Sequence, residues 1–293
     1  MKFVPTYKPR PSALHSARAG VAAFFCGARA FAGALNQHPL VLAAALAGIG
    51  LAATGAGVGR EVLGALRVAL PFALLVTIVN PLVYQGGNTL LFRGGEVLGR
   101  RIDITLEATV AGALAGLRVV VIIVALWLMS IAVDPDALLR LFRRISYRSA
   151  LTASLATRLV PVLARDATRM GEAARCRPHP VGRLAVARSA LSGALDRSVD
   201  LAAALELRGY ALGGRPERRH VPWSRHDIRI AAAAVGIVLV AIVGRVAGVA
   251  DVEAYPALWL ELGPAELGLA SAIVALAAAP FAGRAARMGV ARA

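Results

Sequence analysis

Residues 105–132 read TLEATVAGALAGLRVVVIIVALWLMSIA, with Glu107 and Arg118 as the only charges. A helix of this length rises well past the ~30 Å of hydrocarbon in a bilayer. The residue types are those that tolerate lipid, so the stretch predicts a membrane-spanning helix.

Working outward, comparable apolar segments lie at 19–35, 39–57, 64–84, 227–249 and 265–283. Arg29 interrupts the first, which makes it the weakest. The whole chain has 293 residues, is 58% hydrophobic and has only 17% charged residues. Soluble domains are roughly 45–50% apolar. The expected fold class is therefore an all-α integral membrane protein with about six transmembrane helices. Small-residue pairs that let helices approach closely in lipid occur at Gly55 with Gly59, Gly112 with Gly116, and Gly244 with Gly248.

The net charge is +16, and 31 of the 33 basic residues are arginine, with Lys2 and Lys8 the two lysines. Repeated apolar runs have no use in a nucleic-acid binder, so nucleic acid is excluded as a partner. A phosphate-binding P-loop needs a lysine after its glycines, and none follows Lys8. No cofactor site is expected. The N-terminus has no short apolar core before a cleavage site, so no cleaved signal peptide is expected.

Arginine placement sets the expected orientation. Residues 1–18 form a cytoplasmic tail, 19–132 the first transmembrane helices, and 133–226 a cytoplasmic region. Residues 227–293 hold the last transmembrane helices and a short cytoplasmic tail. The protein then sits in the inner (plasma) membrane with both termini inside. The loop with Asp251, Glu253, Glu261 and Glu266 suits the outside, whereas the loop at 85–103, with Arg93, Arg100 and Arg101, is an exception.

Within 133–226, Asp134-Pro135-Asp136 opens a helix by capping, a favoured first residue and dipole complementarity. A second helix at about 149–176 places Leu151, Leu155, Leu159, Val162, Met170 and Ala174 on one face, with a kink expected at Pro161. A third, at about 183–208, places Leu184, Leu191, Leu195, Val199, Ala202 and Leu205 on one side. The second ends at Arg175-Cys176-Arg177-Pro178. The third ends at Arg208, with Gly209 free to take the left-handed conformation. Capping and inside-positive bias explain each arginine alone. Two successive amphipathic helices, each presenting arginine at its tip, suit docking into a partner, because a guanidinium pairs with carboxylates through a fork.

These residues resemble the transmembrane T component of energy-coupling factor transporters, the family that includes the cobalt-permease subunit. Asn80-Pro81-Leu82 with the following Gly86 is similar to that family's Asn-Pro-Leu stretch. Arg158 and Pro161, in Thr157-Arg158-Leu159-Val160-Pro161, are similar to its Arg-Phe-Ile-Pro. Its two Ala-Arg-Gly motifs correspond to Ala174-Arg175-Cys176 and Leu207-Arg208-Gly209, with Cys176 in place of glycine and Leu207 in place of alanine. The resemblance implies a coupling subunit with no catalytic residues of its own. It would join two cytoplasmic ATP-binding subunits to a membrane-embedded S component that selects a vitamin or metal.

Intramembrane hydrolases need a Ser–His pair, two aspartates or an HExxH site, and none is suitably placed. His15, His38, His179, His220 and His226 lack metal-ligand spacing. Arg118 and Arg245, inside apolar spans, reach an interface or neighbouring helix, or mark a substrate path. The rival function is a stand-alone secondary transporter, which predicts paired, polar-interrupted spans in corresponding halves.

Overall fold

The computed structural model describes residues 7, 10–83, 89–97, 100–142, 147–178, 182–209, 223–249 and 263–290. Gly86, the acidic loop as far as Glu261, and His179 and His220 lie outside these residues. The chain forms two compact units, one made of residues up to Leu138 and from Trp223 onward, the other spanning Leu139–Pro222.

Among the described residues the first unit is a bundle of six apolar helices: α1 (Ala19–Leu35), α2 (Pro39–Gly55), α3 (Gly59–Val83), α4 (Leu106–Ala132), α8 (Arg225–Val246) and α9 (Pro264–Val290). The fold is that of an all-α, multi-pass membrane protein. Four of these helices, α3, α4, α8 and α9, are long and apolar enough to cross a bilayer, α9 through residues 264–281. With 17 residues each, α1 and α2 rise about 25 Å and stand at the short limit for a span.

Residue choice explains which faces meet. Leu63, Leu70, Phe72, Leu74 and Ile78 of α3 are exposed, as expected of side chains solvated by lipid. The inner faces use small residues. A Cβ on Gly116 would lie 2.6 Å from Thr77 Oγ1 and 2.8 Å from the Ala73 carbonyl oxygen. One on Gly112 would lie 2.9 Å from the Thr77 carbonyl oxygen. This pair thus brings α4 onto the backbone of α3, and Thr77 Oγ1 donates to the Ala73 carbonyl across 2.8 Å. The other two pairs do not act as pairs. Gly55 faces the Phe281 ring while Gly59 meets nothing tight; Gly244 lies under Leu269 while Gly248 ends its helix at φ +73°.

The two shortest helices of the bundle, α1 and α2, are at its centre. α1 packs on both α4 and α8, and α2 on α9 and α4. Arg29 is 1% exposed. It donates to the Phe25 carbonyl in its own turn at 3.1 Å and to the Ala277 carbonyl of α9 at 3.3 Å. Its guanidinium lies 3.7 Å from the Phe25 ring centroid. The charge that weakens this segment as a lipid-facing span therefore turns inward.

By residue type Asn80-Pro81 and the glycines that follow suggest a turn or short re-entrant segment, but α3 runs through Asn80 and Pro81 to Val83. A proline this close to a helix C-terminus removes one backbone donor and leaves the remaining turn intact. The basic stretch that follows is not an irregular loop. It contains an antiparallel hairpin, β1 (Leu90–Val97) and β2 (Arg100–Thr105), with a register shift between Arg93 and Glu96. Arg101, Asp103 and Thr105 alternate with Ile102 and Ile104, the period-two pattern of a strand. Thr105 then caps α4, and buried Glu107 accepts from the Thr89 amide at 3.0 Å.

The second unit contains α6 (Tyr147–Arg175) and α7 (Arg183–Leu207) packed on each other; α5 (Pro135–Phe142) straddles the division between the units. The Asp134 carboxylate accepts from the Asp136 amide at 3.0 Å, so α5 starts as its sequence suggests. α6 continues through Pro161. Its expected apolar face, from Leu151 to Ala174, is half-buried. α7 departs from expectation. Leu184, Leu191, Leu195 and Val199 are 64–67% exposed. A different stripe, including Val186, Ala190, Gly193, Ala194 and Arg197, is half-buried. Arg197 pairs with Asp166 of α6 at 2.8 Å, and a Cβ on Gly193 would lie 4.0 Å from Met170 Cε. Small side chains permit this contact, so Leu184, Leu191, Leu195 and Val199 stay bare, while Leu205 of the expected side is half-buried.

Four substitutions test the bundle by thermal unfolding in detergent. Gly116→Ala should cost about 1–3 kcal/mol by overpacking against backbone. In the same helix pair Gly64→Ala, whose Cβ meets nothing within 4 Å, should gain about 0.5–1 kcal/mol. Arg29→Ala should cost about 2–5 kcal/mol through lost packing, as large-to-small core changes do, with Arg29→Met recovering most of it.

Candidate functional site

The residues singled out for docking lie at the ends of α6 and α7. Ala174 is half-buried in the last turn of α6; Arg175, the final helical residue, is exposed. The chain then unwinds through Cys176, whose amide donates to the Glu172 carbonyl at 3.3 Å, and through Arg177 and Pro178. Cys176 is an exposed free thiol.

The end of α7 has the geometry expected of it. Arg208 is the C-cap at φ −81°, ψ 6°, and its amide donates to the Ala204 carbonyl. Gly209 takes φ +75° and its amide donates to Glu206 at 2.8 Å. Leu207 is 91% exposed, so the alanine-to-leucine departure adds a bare apolar side chain beside Arg208. Both helix ends thus carry an arginine in solvent, preceded by a turn that is already hydrogen-bonded. Neither Arg175 nor Arg208 is drawn into an ion pair among the described residues.

The remaining singled-out residues sit elsewhere. Arg158 and Pro161 are exposed on α6, with the Pro161 carbonyl accepting from Arg165 Nε at 3.1 Å. Asn80, Pro81 and Leu82 close α3 in the bundle, Pro81 buried and Asn80 against Gly112 of α4. Their place is structural, at a helix crossing. Arg118 donates to the Asn36 carbonyl at 3.4 Å and so reaches a neighbouring helix end. Among the described residues no three His, Cys, Asp or Glu side chains converge where a cation could sit.

One polar cluster was not singled out from sequence. Ser224 caps α8 and forms a capping box with Asp227, whose carboxylate also accepts from the Arg18 amide at 3.0 Å. The signal was present in Ser224-Arg225-His226-Asp227, a Ser-x-x-acid pattern before an apolar run. Its partner, 209 residues away, had no sequence signal.

A bundle of apolar helices interrupted by a compact, arginine-rich helical pair is the build of a multi-pass membrane protein with an inserted polar unit. Residues 11–221 match the family described as cobalt transport protein (CbiQ), which is most of the chain. The chain belongs to that family, the family of T components of energy-coupling factor transporters, and is a membrane transport component. No curated protein shows significant similarity to it.

The cap at the end of α7 is open to test. Gly209→Ala forces an L side chain to φ +75°, at about 1–2 kcal/mol. Amide exchange at positions 208 and 209 should quicken by about tenfold, while α1 and α2 keep their wild-type rates.

Proposed function

We propose that this protein is the coupling subunit of an energy-coupling-factor-type, ATP-driven importer for a vitamin or transition metal. It carries no active site itself; hydrolysis belongs to two cytoplasmic ATP-binding subunits. Arg175 and Arg208 dock into these subunits, one each, and pair with carboxylates there through the guanidinium fork. Closure of the ATP-binding subunits displaces α6 and α7, and the displacement is passed to a membrane-embedded S component that holds the substrate.

One observation carries this reading: two consecutive amphipathic helices end in solvent-facing arginines on hydrogen-bonded turns, in a unit inserted between membrane helices. Membership of the cobalt transport protein family supports it. The ends of the bundle support an orientation as well. Arg10, Arg18, Arg60 and Arg225 share the end where α1, α3 and α8 begin, and inside-positive bias makes that end cytoplasmic in the inner membrane, with both termini there.

Co-purification from detergent with the ATP-binding subunits of the same organism tests the assignment. Wild type should retain them, and the double variant Arg175→Ala with Arg208→Ala should lose them by about 100-fold in affinity or more while staying membrane-inserted. Equal retention by both removes the arginines from the contact. No retention by wild type overturns the coupling role in favour of a stand-alone secondary transporter.

A further inference from the structure

We propose that residues 10–18 form a strap across one end of the bundle, with Arg18 and Asp227 as positioning residues that make α1 and α8 move together. The inference rests on the coupling function above, and it concerns the step after docking: how displacement enters the membrane helices.

The strap is anchored at both ends. Arg10 bonds the Gly57 carbonyl and the Glu61 carboxylate, at the turn between α2 and α3. The Glu61 carbonyl in turn accepts from Trp127 Nε1 of α4 at 3.2 Å. Midway, Leu14 is fully buried. At the far end His226 Nε2 donates to the Ala13 carbonyl at 2.7 Å, and the Arg18 guanidinium lies 5.3 Å from the Trp223 ring. A segment that sequence alone assigns to a tail is therefore tied to three different helix ends.

Asp227 is the reason the tie matters. α1 and α8 begin side by side, so two positive dipole ends face the same place. A single carboxylate serves both. It accepts from the Arg18 amide at 3.0 Å and from the Ser224 amide and hydroxyl at 3.2 and 2.8 Å. Arg18 Nε, 3.7 Å away, balances its charge. In chain order α8 is the first helix of the bundle after the inserted unit. A free helix start frays under displacement, and the movement is lost there. With its start bonded to that of α1, α8 passes displacement to α1, and α1 packs on α4.

The test is nucleotide-dependent amide exchange on the complete complex with its ATP-binding subunits. In wild type, ATP with vanadate should change exchange in 139–222 and in the first turns of α1 and α8. In Asp227→Ala, which removes the acceptor of the Arg18 amide, the response in 139–222 should persist while the response of α1 falls about fivefold or more. A merely structural loss would instead raise α1 exchange equally with and without nucleotide. Arg10→Ala, far from the α8 cap, gives the same readout if the Asp227 variant does not fold. An α1 response of wild-type size in the variants overturns the strap, as does a wild-type complex in which 139–222 responds and α1 does not. If wild type retains no ATP-binding subunit, or 139–222 does not respond, the coupling function itself has failed, and the strap with it.

Discussion

A guanidinium left in hydrocarbon without acceptors is costly enough to decide where its helix goes. Arg29 settles the arrangement of the bundle in this way. On the lipid-facing side of α1 it would have no acceptors within reach. Turned inward it meets the Phe25 carbonyl, the Phe25 ring and the Ala277 carbonyl of α9. The bond to α9 also fixes the neighbourhood of Gly48, where a Cβ would lie 2.9 Å from Ala277 Cβ. The central position of α1 and α2 follows from this constraint, and α4, α8 and α9 pack around them.

The rest of the bundle is shaped by an absence of bulk. Lipid tails are as apolar as leucine, so helices gain little by hiding leucines from them. They gain by close packing and by satisfying polar groups. The α3–α4 crossing shows both, with Gly112 and Gly116 against backbone and Thr77 bonded across it at 3.3 Å to the Gly112 carbonyl. The large side chains of α3 are left to the lipid. The same preference recurs in the inserted unit, where α7 packs through Ala190, Gly193 and Ala194 and leaves Leu184, Leu191 and Leu195 bare. Reading α7 by hydrophobicity alone selects the wrong face, since periodicity reports where apolar side chains lie and not which of them find a partner.

Several features of the candidate site were legible beforehand. Arg208 and Gly209 end α7 with the capping geometry that the residue types demand, and Arg175 ends α6 where Pro178 prevents continuation. Asp134 and Pro135 open α5 as local rules require. These are short-range effects, set within one turn of helix. The hairpin at Leu90–Thr105 was less legible, because its basic residues suggested a loop on the wrong side and drew attention from the alternation in Arg101–Thr105.

By itself the sequence determined the six apolar helices, their order, the inserted amphipathic pair and the arginines at its tips. Each depends on composition or on residues within a few positions of one another. The tertiary structure decided which face of each helix is covered, where Arg29 finds acceptors, which glycine pair makes a crossing, and that the stretch before α1 is bonded to the start of α8. Those outcomes depend on pairs such as Arg29 with Ala277 and Arg18 with Asp227, 248 and 209 residues apart. A hydrogen bond at such separation leaves no periodic trace along the chain; it exists only once packing has brought the two helices together.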